Sequence, residues 1–250
     1  MAGHNKWSKV KHIKARVDVI RGKVFSKCAH EIAIAARDGG GDPTMNARLR
    51  AAIDGAKAVS MPKDNIERAI RKGTGELGGD AIQEVSYEGY GPGGAAFIVE
   101  AATDNLNRTA ADIRSIFSKA GGSVATPGSV SYQFDRKGEI RLEAPGLGED
   151  DLMVMVIEAG GDALEEESDE WVVHTSPTEL FAVAEKLRAE GLLLKSEKLV
   201  SLPQNVTMVV DADQARQLVK LYDQLDECGD TLNVFTNFEF SDEVLEDLDS

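Results

Sequence analysis

Between Phe25 and Ala36 the apolar positions fall at Phe25, Cys28, Ala29, Ile32, Ala33 and Ala36, the three- and four-residue spacing of an amphipathic helix. Gly39–Gly41 followed by Asp42-Pro43 stops that helix in a turn. A second helix carries Leu49, Ile53 and Ala56 on one face. A third opens at Pro62, favoured at a first helical position, runs through Ile66 and Ile70, and ends at Gly73. The glycine-rich stretch Gly73–Gly79 reads as a linker.

Beyond it, short apolar runs alternate with helical spacing. Ala96–Ala102 predicts a strand, 105–120 a helix with Ala110, Ile113 and Phe117 inward, and Val130–Phe134 a second strand. The same grammar returns late in the chain: strand Val206–Val210, helix Ala212–Asp226 with Ala215, Leu218, Val219 and Tyr222 inward, strand Leu232–Phe238. Between these lies a complete β-α-β-β-α-β unit of the ferredoxin-like kind. Its predicted strands are Glu139–Glu143, Asp162–Glu167, Trp171–His174 and Leu194–Val200. Its helices are Asp150–Ala159 and one opened by Ser176, Pro177 and Glu179, a capping-box pattern, and closed by Gly191. The expected fold is α+β and multidomain: a helical N-terminal domain, then two interlocked ferredoxin-like α/β domains, one inserted in the other. The expected boundaries are 1–78 for the helical domain, 79–135 with 203–240 for the outer α/β domain, 136–202 for the inserted one, and 241–250 for an acidic, frayed tail.

Charge divides the chain more sharply than its average suggests. The net charge is −15, which by itself argues against nucleic acid. Residues 1–72 nevertheless hold 16 Lys and Arg against 7 Asp and Glu, and the remainder is strongly acidic. Within residues 1–27, Lys6, Lys9, Lys11, Lys14, Arg16, Arg21, Lys23 and Lys27 face only Asp18. A cluster this free of acids neutralises phosphates and releases counterions. Trp7, His4 and His12, interleaved with it, suit base stacking or phosphate contact. The bland alternative is a solvated tail with Trp7 anchoring it to the helical core. Arg48, Arg50, Lys57, Lys63, Arg68, Arg71 and Lys72 either extend the patch or are ordinary exposed faces paired with Asp54, Asp64 and Glu67.

Candidate chemistry is otherwise sparse. Gly89–Gly94 contains four glycines but lacks the Lys-Ser/Thr of a P-loop, and a strand follows where a dinucleotide fingerprint needs a helix. A tight connection is expected there. His4, His12, His30 and His174 show no metal-ligand spacing, and no nucleophile elbow is present. Cys28 and Cys228 read as buried structural thiols. The acidic run Glu165–Glu167 with Asp169 and Glu170 reads as a solvated face, with contact to a basic protein as its alternative. No stretch approaches a membrane span and no apolar leader is present. The expectation is a cytoplasmic non-enzyme with no cofactor, no metal, no membrane and no small-molecule substrate; a monomer is compatible with it.

The blocks GHNKWSKVKHIKA, RGKVFSK, GGGDP, MPKDNIERAIRKGTG, YEGYGPGG, DNLNRTAADIR, FSKAGG, GSVSYQF, LPQNV and TNFEF, in this order, resemble the YebC/PmpR family, which has a mitochondrial relative that activates translation of cytochrome oxidase. Leu106 stands where the resemblance leads one to expect arginine, and Tyr132 where tryptophan is usual, which leaves Arg108 as the cation of that helix start. The resemblance implies a helical first domain and two α/β domains around a cleft. It also implies DNA binding and transcriptional regulation, or alternatively a translation factor acting on the ribosome, with no catalytic residues to carry over.

Overall fold

The computed structural model describes residues 17–143, 146–167 and 170–249, with the side chains of residues 17–21 and of Asp249 outside the description. The described chain forms two compact units, one from residues up to Gln133 together with Pro203 onward, the other Phe134–Leu202.

The first unit begins with three helices, α1 (Val17–Gly39), α2 (Ala47–Ala58) and α3 (Lys63–Gly73). Their apolar stripes meet in one cluster that includes Ile32, Ala36, Leu49, Ile53, Ile66 and Ala69. Gly73 has to be glycine, because a Cβ there would lie 2.1 Å from the carbonyl oxygen of Ala33. Residues Ile32–Ala36 are all buried, more than an amphipathic stripe requires. The reason is a second partner: Ala33 and Ile34 pack with Ile82, just before the sheet that follows, and with Ala102 within it. The glycine linker therefore separates two modules that fold as one unit, with α1 as their common spine.

That sheet runs in the order β3-β1-β2-β9, from β1 (Gln83–Tyr90), β2 (Ala96–Thr103), β3 (Ser123–Ala125) and β9 (Thr231–Thr236). β1 pairs antiparallel with both β2 and β3, and β9 pairs antiparallel with β2. Strand β2 is central and buried along nearly its whole length, which explains its almost continuous apolar sequence. Helices α4 (Leu106–Lys119) and α7 (Ala212–Asp226) supply Ile113, Phe117, Leu218 and Leu225 to the core around Phe97. The rings of Phe97 and Phe117 meet edge to face with centroids 5.8 Å apart.

Strand β1 has no counterpart in the sequence expectation. Its buried positions include Glu88 and Gly89, so the alternation that marks a strand is hidden. The expected strand Leu232–Phe238 divides in two. β9 ends at Thr236, and β10 (Phe238–Phe240) pairs parallel with β8 (Thr207–Val209) in a separate two-stranded sheet. Asn237 is the pivot: its side-chain oxygen accepts from the Ala96 N–H at 2.8 Å, while its own carbonyl accepts from Thr207 N–H at 2.7 Å. The acidic terminus corrects another expectation. Residues Asp242–Asp249 form helix α8, with Val244 buried and Leu245 and Leu248 packed on the core, because its apolar residues recur at helical spacing among the acids.

The second unit contains β4 (Phe134–Leu142), α5 (Glu149–Ala159), β5 (Ala163–Glu167), β6 (Glu170–Thr175), α6 (Leu180–Ala189) and β7 (Leu194–Pro203). The order β5-β6-β4-β7, with β6 antiparallel to both β4 and β5, is that of a ferredoxin-like unit. Ile140, Leu152, Val156, Val173, Leu180 and Leu187 fill its core. Two local expectations need correction. Val130–Phe134 is not a separate strand: a 3-10 turn at Ser131–Gln133 leads directly into β4. The capping box does not form either. Ser176–Glu179 close a turn, with the Glu179 N–H donating to the Ser176 carbonyl, and α6 starts at Leu180. The chain enters and leaves this unit side by side, since the Gln204 N–H donates to the Gln133 carbonyl at 2.8 Å.

Candidate nucleic-acid interface

The expected phosphate-contacting residues fall into two groups. Lys6, Trp7, Lys9, Lys11, His12, Lys14 and Arg16 lie outside the described residues, as does the side chain of Arg21. Lys23 and Lys27 are described, one turn apart on α1. Lys27 Nζ lies 2.7 Å from Asp226 Oδ1, and Lys23 Nζ lies 3.3 Å from Glu227 Oε1. Those carboxylates stand at the C-terminal end of α7, where the helix dipole disfavours negative charge. The two lysines relieve that repulsion and fasten α1 to α7. Such half-exposed pairs contribute roughly 0–1 kcal/mol each, so a phosphate can displace them. Sequence reasoning missed Asp226 and Glu227 because they stand some 200 residues away, with no local signal linking them to the lysines.

The second tier of cations divides as well. Lys57 pairs with Asp54 and Lys63 with Glu67 along their own helices. Arg48 reaches Glu31, Asp38 and Glu84, at 3.0, 3.2 and 2.7 Å, tying α2 to α1 and to β1. Burial opposes its charge, but these carboxylates outweigh burial and raise its pKa. Arg50 donates to the Pro43 carbonyl. Arg68 and Arg71, by contrast, make no side-chain hydrogen bond or ion pair among the described residues. They are the cations of α3 left for an external anion.

Arg108 is committed within the protein. It sits where Asn105 caps α4 by accepting from the Arg108 N–H at 3.0 Å. Its guanidinium lies 2.9 Å from Asp230 and 3.2 Å from Asp104. Asp230 also accepts from Thr109 Oγ1 at 2.6 Å and Thr103 Oγ1 at 3.2 Å. Burial pushes the Asp230 carboxyl up, and these hydrogen bonds overcome it and hold the pKa below the usual range. Lys72 joins the cluster through Asp104 at 3.3 Å. The segment DNLNRTAADIR thus closes β2, α4 and the start of β9 around one carboxylate. Leu106 and Tyr132, the two departures from the expected pattern, are both exposed.

The glycine-rich connection is structural, as its sequence suggests. Glu88 accepts from the N–H groups of Gly128, Val130 and Ser131 at 2.8, 2.5 and 3.0 Å. Tyr90 Oη donates to the Ser129 carbonyl. Two of the quoted blocks, YEGYGPGG and GSVSYQF, therefore hold each other. In the second unit, Glu167 and Glu170 of the acidic run pair with Arg141, and Glu170 also with Lys195. Cys28 and Cys228 are half-buried rather than fully buried, each packed at the edge of a core cluster. Among the described residues, no group of three or more His, Cys, Asp and Glu side chains is placed to hold a metal ion. No described helix is long and apolar enough to cross a membrane.

Residues 5–76 match the TACO1/YebC protein N-terminal domain, and residues 82–238 match the TACO1/YebC second and third domain. The chain belongs to the TACO1/YebC family. A relative from Akkermansia muciniphila is 58% identical over 250 residues, covering 99% of this chain and all of its own. One from Desulfatibacillum aliphaticivorans is 51% identical over 245 residues, covering 98% of this chain and 99% of its own. Both carry the name probable transcriptional regulatory protein. The crystal structure of a conserved hypothetical protein from Aquifex aeolicus has the same fold, with a TM-score of 0.85 and 43% identity over 96% of this chain and 98% of that one.

Proposed function

We propose that this protein is a cytoplasmic, non-enzymatic DNA-binding transcriptional regulator that contacts phosphates through its basic N-terminal segment. The observation that carries the reading is the charge asymmetry: an excess of cations in residues 1–72 of a chain whose net charge is −15. Arg68 and Arg71 on α3, which have no side-chain hydrogen bond or ion pair among the described residues, agree with it, and so do the names of the relatives. Phosphate contacts of this kind supply affinity and steering, while sequence reading needs base-edge contacts. A second reading, a translation factor bound to ribosomal RNA, is favoured by the absence of a recognisable helix-turn-helix or zinc module and by the acidic remainder, which suits basic ribosomal proteins.

Binding to a promoter duplex, an unrelated duplex and purified ribosomes at matched salt separates the two. Tighter promoter binding is expected. Equal affinity for both duplexes alongside tighter ribosome binding refutes the transcriptional reading. Replacing Lys9, Lys11 and Lys14 together by alanine should flatten the dependence of log affinity on log salt by roughly 0.9 per lost duplex contact. An unchanged slope refutes the role assigned to the basic segment.

A further inference from the structure

A cavity of about 530 Å³ opens between α1, α3 and the segment after Gly73, within the range of roughly 300–1,000 Å³ typical of small-molecule and cofactor sites. Its walls are apolar, from Phe25 and Ala29 on α1, Met61 and Ala69 beside and on α3, and Leu77 and Ile82 beyond. Three polar side chains of α3 line it at helical spacing: Asn65, Arg68 and Lys72. Asn65 and Arg68 make no side-chain hydrogen bond or ion pair among the described residues, and no carboxylate lines the cavity. His30 completes the wall, its Nδ1 buried without a hydrogen-bond partner among the described residues. Burial lowers the His30 pKa and so favours the uncharged ring, with Asp230 pulling the other way.

An apolar slot with an aromatic wall, a bare amide and cations at its edge has a defined complement. The aromatic ring stacks on a planar base, the amide pairs with a base edge, and the cations take the neighbouring phosphate. We infer that this cavity receives one unstacked nucleobase together with its adjacent phosphate, with Phe25 as the stacking wall, Asn65 at the base edge and Arg68 on the phosphate, while Lys72 is held by Asp104. The inference rests on the proposal that the protein binds nucleic acid and goes beyond it, because an unstacked base is offered by a single strand and withheld by an intact duplex. A free mononucleotide carries the same chemistry.

The test uses the full chain, with ¹³C-methyl methionine reporting on Met61. Millimolar mononucleotide should shift the Met61 methyl signal, whereas equal inorganic phosphate should not. No shift, or the same shift with phosphate alone, overturns the inference. A shift produced by Trp7→Ala without any added ligand also overturns it, since the chain itself would then occupy the cavity. In parallel, Asn65→Ala should weaken binding of a short single-stranded oligonucleotide about tenfold while leaving duplex binding within about twofold. Asn65 is exposed, so the fold tolerates its loss. Equal losses on single strand and duplex, or no loss on either, would refute the site. If the salt slope is indifferent to Lys9, Lys11 and Lys14, the basic-segment proposal fails, and the mononucleotide result still decides the cavity.

Discussion

Asn46 holds the helical layer together through three hydrogen bonds, and its loss should be felt across the whole layer. Its side-chain oxygen caps α2 by accepting from the Leu49 N–H at 3.0 Å. Its amide nitrogen donates to the Ala35 carbonyl at 2.7 Å and to the Gly40 carbonyl at 2.9 Å. The residue is buried, and Gly39 makes room for it, since a Cβ at Gly39 would come within 2.6 Å of that nitrogen. Asn46→Ala removes a cap worth about 1 kcal/mol and two further hydrogen bonds, one buried and one part-buried, worth about 1 kcal/mol each. A total loss of about 2–4 kcal/mol is expected, a large part of the stability of an ordinary domain. Asn46→Asp isolates the donor role. It keeps a good capping oxygen but turns a carboxylate towards two carbonyls, so it should be at least as damaging as alanine. Urea unfolding of the full chain followed by circular dichroism measures the loss, and hydrogen exchange of the first-turn amides of α2 locates it. An Asn46→Asp protein as stable as the parent would refute the assignment of the two carbonyl contacts.

Two further outcomes follow from carboxylates. Replacing Asp226 and Glu227 by their amides frees Lys27 and Lys23, so affinity for duplex DNA should rise and the salt slope steepen by up to roughly 0.9 per freed lysine; weaker binding in the titration would show that the clamp shapes the binding surface instead. Glu88 is pushed up by burial but held below the usual carboxylate range by its three backbone donors. Because its folded pKa is depressed, its stabilisation is complete above the ordinary carboxylate pKa and is lost as pH falls through the depressed value. Glu88→Gln should therefore lower the melting temperature near pH 7, with the gap closing as pH falls through that depressed value; a gap independent of pH would show that the charge plays no part.

The helices and the ferredoxin-like unit were readable because their burial is one-sided and repeats with the period of the element. Ile53 and Ala56, or Val156 and Ala159, announce a face. Legibility failed where a polar residue sits in the core for the sake of its hydrogen bonds. Glu88 hides β1, and Asn237 divides what reads as a single strand, since both look like loop residues until their backbone partners are known. α8 was misread for the opposite reason: its acids dominate the composition while Val244, Leu245 and Leu248 do the packing. For the candidate site, the cation cluster is plain in the sequence, yet its state is not. Only the tertiary structure shows that Lys23 and Lys27 are engaged by the end of α7 while Arg68 and Arg71 have no side-chain partner among the described residues.

The hydrogen bond between Gln133 and Gln204 also bears on the order in which the chain assembles. The first sheet needs β9 beside β2, and the intervening Phe134–Leu202 is a long excursion. Closing a flexible loop of that length costs about 3 kcal/mol more than closing a tight turn. Once the ferredoxin-like unit has formed, its first and last strands are neighbours, and the excursion behaves as a tight turn. Early folding of the insert therefore shortens the search that its host must make, and a defect in the insert delays a sheet to which it contributes no strand.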